Sequence, residues 1–167
     1  NLLIARSRGD RGNLTNELNK LESLSITKKN IEIEDVIKLT NLSENYSVFE
    51  LAENYLAKNK QKVSKILNEN NFANDECVLI LRTILNRSKR LLKLKENHNQ
   101  TRNIDLTISS FKPPIFWKEK EIVKKQIQSW TNDEVKNMIY KINELEILVK
   151  KNSNSSLNFV SDFVSNY

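Results

Sequence analysis

Glycine and proline are almost missing from this chain: there are two of each in 167 residues. Glycine supplies the positive-φ corners of hairpins and the loops that cradle phosphates, and proline punctuates irregular connections. A chain so poor in both has little means of building a many-stranded sheet or a Gly-rich nucleotide loop. Helices joined by short polar turns remain, and apolar residues do recur at three- and four-residue spacing along most of the chain. The expected fold class is all-α, a helical bundle preceded by part of a smaller helical domain.

The stripes set the expected elements. Leu2, Leu3 and Ile4 running into Arg6, Arg8 and Gly9 read as a helix end, and Gly9-Asp10-Arg11-Gly12 as a tight turn. Leu14, Leu18, Leu21 and Leu24 form one stripe on a helix beginning near Asn13. A short helix follows with Val36, Ile37 and Leu39, its first turn carrying Glu34 and Asp35 to suit the dipole. Residues 41–46 are polar and read as a linker, which divides the chain into 1–45 and 46–167. Ser47-Val48-Phe49-Glu50 has the form of a capping box opening a helix to about Ala57. Lys58-Asn59-Lys60 then turns into a helix with Val63, Ile66 and Leu67, and 68–75 is a polar loop.

The longest helix is expected over 75–96, with Ile80, Leu81, Ile84, Leu85, Leu91 and Leu92 on one face and Arg82, Lys89 and Lys93 opposite. After the polar residues 98–103 comes a short apolar segment with Ile104, Leu106 and Ile108. Pro113-Pro114 lead into a helix through Phe116, Val123 and Ile127 toward Trp130. Thr131-Asn132-Asp133-Glu134 is a second capping box, opening a helix with Val135, Met138, Ile139, Ile142, Leu145 and Val149. A low-complexity break over 151–156 precedes a last amphipathic helix with Leu157, Val160, Phe163 and Val164.

Few parts for chemistry are present. Nothing matches the phosphate-binding pattern G-x-x-x-x-G-K-[ST]. Cys77 is the single cysteine, which excludes disulfide frameworks and CxxC metal sites and fits a reducing, cytoplasmic setting. It begins an apolar helix face and reads as a small buried hydrophobe. His98, the only histidine, sits among Asn, Gln and Lys and reads as a surface residue. No apolar run reaches the roughly 18 residues of a membrane span. No catalytic residue, cofactor or metal is therefore expected. The chain begins with Asn and reads as a piece of a longer protein.

Charge is the remaining lead. The net charge of +6 suits an acidic partner, although a Lys-, Asn- and Ile-rich composition also arises from an AT-biased genome. Arg82, Arg87, Lys89, Arg90, Lys93 and Lys95 occur with no acidic residue among them. Such a stripe can neutralise phosphates, or it can be a solvated face or one that meets an acidic protein. Arg82, Lys89, Arg90 and Lys93 are the candidate contacts for DNA or a partner. Trp117 and Trp130 flank a Lys-rich helix, where an exposed ring could stack on a nucleic-acid end; Trp130 reads as core.

Several stretches, in order, resemble the delta subunit of the bacterial DNA polymerase III clamp loader. Gly9-Asp10-Arg11-Gly12-Asn13-Leu14-Thr15-Asn16-Glu17-Leu18 with Lys20-Leu21 is similar to the family's G-D-x-R-x-L-x-N-E-L-x-K-L signature, with Gly12 where the signature has Arg. Tyr46 to Leu51 resembles the start of the family's third domain, and Asn59-Lys60 followed by Ile66-Leu67 fits it as well. Val78 to Thr83, leading to Arg90-Leu91-Leu92 and Lys95, resembles the long collar helix. Pro114-Ile115-Phe116, Trp130, Glu146 and Lys150 complete the pattern.

The resemblance implies that 1–45 ends a small helical AAA+ lid-type second domain and that 46–167 is the C-terminal helical collar. It implies a non-catalytic role in oligomerisation of the loader, which places the sliding clamp on primed DNA during replication. The parent complex is a DNA-directed DNA polymerase, a nucleotidyltransferase, and delta contributes clamp loading to it. The implied partners are the other clamp-loader subunits through the collar, the sliding clamp only through an N-terminal domain absent from this sequence, and primed DNA in the assembled complex. No membrane partner is expected. A free-standing basic helical nucleic-acid-binding domain is the alternative.

Overall fold

The computed structural model describes residues 3, 11–39, 42–70 and 72–166, with the backbone alone at 13, 37, 38 and 42–46. The described residues form nine α-helices and two single 3-10 turns, with no strand among them. The all-α expectation holds. The chain divides into two compact units, Asn1–Ser47 and Val48–Tyr167.

In the first unit, α1 spans Arg11–Thr27 and α2 spans Ile33–Leu39. The expected helix end before Gly9 and the start of the turn, Gly9-Asp10, lie outside the described residues apart from Leu3, which is helical. Arg11 and Gly12, expected in that turn, belong instead to α1. Leu14, Leu21 and Leu24 are half-buried, whereas Leu18 is 49% exposed and Ile26 is 83% exposed. The stripe is thus only partly covered within this unit. Asp35 organises the start of α2: its carboxylate accepts from the Glu32 amide (2.9 Å) and from Lys28 Nζ (2.6 Å). That hydrogen bond raises the Lys28 pKa above the ordinary lysine value.

The expected linker over 41–46 is overturned at 42–46, because α3 spans Leu42–Leu56. Ser47 therefore lies inside a helix and does not cap one. No Gly or Pro between 42 and 56 stops the helix, and the S-x-x-E spacing falls on one helix face without being a terminus. Glu50 serves elsewhere, pairing with Lys62 Nζ at 3.1 Å.

The second unit takes in α3 from Val48, then α4 (Lys60–Glu69), α5 (Glu76–Thr101), α6 (Ile104–Ser110), α7 (Lys120–Ser129), α8 (Asn132–Lys151) and α9 (Ser156–Ser165). Its centre is α5, whose Cys77, Ile80, Leu81, Ile84, Leu91 and Leu94 are buried. Leu85 is buried too, and Leu92 packs half-buried against the core. Helix α8 runs antiparallel beside α5: Arg82 meets Glu146, and Ser88 Oγ lies 3.2 Å from Met138 Sδ. Leu51, Ala52 and Leu56 of α3, Val123 and Ile127 of α7, Val135 and Ile142 of α8, and Val160 and Val164 of α9 complete the core. Helix α9 closes it by packing on α4, α5 and α8.

Further helix limits differ from those expected. Helix α5 runs past 96 to Thr101, since residues 97–101 contain polar groups but no Gly or Pro, and it takes His98 into its last turn. Arg102 ends it in the left-handed region, φ 51°, donating its amide to His98 O at 2.8 Å. Asn103 then caps α6 by accepting from the Leu106 amide at 3.0 Å. Phe116 is extended rather than helical; a 3-10 turn over Trp117–Glu119 separates it from α7. The Thr131 capping box forms in both directions, with Glu134 N to Thr131 Oγ1 at 3.2 Å and Thr131 N to Glu134 Oε2 at 2.6 Å.

Candidate interaction surface

The basic helix separates its charges by angle. On α5, Arg87 and Arg90 stand one turn apart beside the apolar face, so both turn inward. Arg87 Nε lies 3.1 Å from Glu53 Oε1 and its Nη1 3.5 Å from Glu119 Oε2. Arg90 Nη2 lies 3.3 Å from Glu53 Oε1 and its Nη1 3.1 Å from Glu119 Oε2. Each carboxylate thus touches both guanidiniums, closing a ring that joins α3, α5 and the turn before α7. Gln126 of α7 adds hydrogen bonds to Glu53 Oε2 (2.5 Å) and to the Glu53 carbonyl (3.1 Å). Each of these charges lies against groups of opposite sign, which is what makes its burial tolerable.

Lys95 also turns inward. Its Nζ donates to Ile127 O at 2.8 Å, meeting a carbonyl near the end of α7 that has no helical partner. Burial lowers its pKa from the ordinary lysine value. Trp130 makes a similar tie: its Nε1 donates to Leu56 O at 2.7 Å, near the end of α3, and Lys58 Nζ sits 4.1 Å from its ring centroid. Trp130 is core, as expected.

Of the candidate contacts, Lys89 and Lys93 are exposed, and Arg82 is exposed while bound through Nε to Glu146. Arg90 is the correction: it belongs to the internal ring and is largely covered. Glu146 Oε1 accepts from Arg82 Nε (3.0 Å) and Lys150 Nζ (2.6 Å), and these contacts, the Lys150 hydrogen bond foremost, hold its carboxyl below the usual glutamate range. Trp117 is 68% exposed, with Lys118 Nζ 5.2 Å from its ring centroid and Phe116 beside it.

The residues offering chemistry are placed elsewhere. His98 is half-buried rather than superficial, and among the described residues its shielded Nδ1 finds no hydrogen-bond partner. Cys77 is buried, and that burial pushes its thiol up to about 11, so it is not a ready nucleophile. Among the described residues no three His, Cys, Asp or Glu side chains gather as a metal site, and no helix is long and apolar enough to cross a membrane. An open cleft of about 400 Å³ between α6 and α7 is lined in part by Asp105, Leu106, Lys120 and Lys124; Lys124 bridges Asp105 (2.8 Å) and Glu121 (3.3 Å).

Sequence reasoning missed Glu53, Glu119 and Gln126. Glu53 lies 37 residues from Arg90 and 73 from Gln126, and Glu119 lies 29 from Arg90, so no local spacing links the ring. One signal was present: Glu53 sits among Leu51, Ala52, Tyr55 and Leu56, where a carboxylate needs a cationic partner. Comparison with protein-family models, curated proteins and solved structures finds no match to this chain.

Proposed function

We propose that this chain is the C-terminal part of a bacterial clamp-loader delta subunit, with the helices from Val48 onward serving as a non-catalytic collar that holds the loader's subunits together. The observation that carries the reading is the ordered series of motifs along the chain. The meeting of Arg82, Glu146 and Lys150 at one carboxylate oxygen supports it, because these three motif residues come from two distant stretches of sequence. The mechanical character of the unit supports it as well. A collar must keep its shape while attached domains move, and here charged and polar side chains tie three helices together around one core.

The alternative, a free-standing nucleic-acid-binding domain, rests on the basic helix. Its support is weakened by Arg87, Arg90 and Lys95, which face protein groups. The test is assembly. Mixed with its cognate motor subunits, the chain should enter a ring-sized complex in gel filtration, and alone it should bind primed DNA weakly at moderate salt. Failure to enter any complex, together with tight and steeply salt-dependent DNA binding, would establish the alternative.

A further inference from the structure

We infer that the seam between α5 and α8 around Glu146 docks a protein segment that presents carboxylates beside apolar side chains. The inference stands on the patch itself and does not depend on the collar reading. Glu146 sits 13% exposed beneath two cations that reach it from different helices. Arg82 uses Nε for this contact, leaving both terminal nitrogens available on a side chain 59% exposed; Lys150 is 51% exposed. The shared carboxylate therefore holds two cationic heads side by side before any ligand arrives, which reduces the ordering cost of binding an anion. Lys89 and Lys93 continue the positive face along α5.

Apolar groups adjoin these cations. Leu79, 42% exposed, precedes Arg82 by three residues on α5, and Ile147, 55% exposed, precedes Lys150 by three on α8. Residues three apart are neighbours on a helix surface. Tyr140, 71% exposed, lies two turns before Ile147 on that side of α8. Exposed Glu144 stands beyond Ile147, at the outer edge. The apolar groups one turn from the cations are the aliphatic Leu79 and Ile147, which offer no stacking platform for bases and supply the apolar centre of a protein interface; the ring of Tyr140 stands farther along α8 from Lys150.

The experiment is a selection of randomised helical peptides displayed against the immobilised chain, followed by fluorescence anisotropy of the recovered peptides. Recovered sequences should place Asp or Glu next to Leu, Ile or Phe. They should bind at least about tenfold more weakly to Arg82→Gln/Lys150→Gln and to Leu79→Ser, while Lys65→Gln on α4 leaves binding unchanged. Circular dichroism melts of each variant separate lost binding from lost folding. Recovery of no peptide, recovery of neutral or basic ones, or binding that survives the double variant would overturn the inference. So would tighter binding of a short DNA duplex through the same residues, which would make the patch a phosphate site. None of these outcomes touches ring assembly, so this inference and the collar reading fail separately.

Discussion

Glu53→Ala is the sharpest perturbation available, because one side chain answers two arginines and a glutamine from two other helices. Its carboxylate is 5% exposed and meets Arg87 at 3.1 Å, Arg90 at 3.3 Å and Gln126 at 2.5 Å. Truncation takes from Arg87 and Arg90, which are 16% and 21% exposed, a buried carboxylate oxygen that both of them touch. Breaking a buried pair from one side typically costs about 3–5 kcal/mol. That is a large share of the roughly 5–15 kcal/mol that holds a domain folded. For a chain of this size the loss lowers the melting temperature by roughly 6–20 °C. Urea unfolding followed by far-ultraviolet circular dichroism measures it, and Glu119→Ala and the double variant complete a cycle. The two losses should be strongly non-additive, since both carboxylates act on the same guanidiniums. Replacing all four ring members with apolar residues of similar volume should restore much of the stability. If Glu53→Ala costs less than about 1 kcal/mol, the ring behaves as a surface ion pair and the argument from burial is wrong.

Three further outcomes are expected. Leu81→Ala, at a site with no exposure, should cost about 2–5 kcal/mol, whereas exposed Lys89→Ala should leave the melting curve where it is; the reverse result would mean that the faces of α5 are misassigned. Because Glu146 has a depressed pKa in the folded state, its contribution should be fully present above the ordinary glutamate range and lost as pH falls through that range to the lower folded value. Acid unfolding of Glu146→Gln should accordingly show a weaker pH dependence over that window, and an unchanged profile would remove Glu146 from the account. Cys77, buried with its thiol raised to about 11, should resist a water-soluble thiol reagent at neutral pH until urea opens the core; prompt labelling in the folded state would contradict the packing of α5.

What the sequence made legible was whatever has a short period. The apolar stripe of α5 and the Thr131 capping box depend on residues three and four apart, and both are found where the spacing puts them. Helix limits marked by neither Gly nor Pro were harder to read. The end of α5 falls at a left-handed Arg102, and α3 begins inside a polar stretch that looked like a connection. An arginine in the left-handed region is permitted by its surroundings rather than announced by its identity. Least legible of all was the ring, since Glu53, Arg87 and Glu119 become neighbours only when three helices pack.

The same distinction governs how the net charge should be read. Six cations in fourteen residues look like a phosphate-binding stripe only if all of them face outward. Phosphate binding scales with the number of neutralised phosphates, about −0.9 in the salt exponent for each on duplex DNA, so six contacts imply a slope near −5. Packing removes Arg87 and Arg90 to the ring and Lys95 to the end of α7. Arg82, Lys89 and Lys93 are left on the outside, which brings the attainable slope from this helix to about −3, and Arg82 is already shared with Glu146. A helix can therefore be strongly basic because of what it must hold together inside. Its inward arginines fix α3 and the start of α7 against it, and its outward lysines and Arg82 form a smaller positive face, bordered by Leu79, for whatever partner approaches from outside.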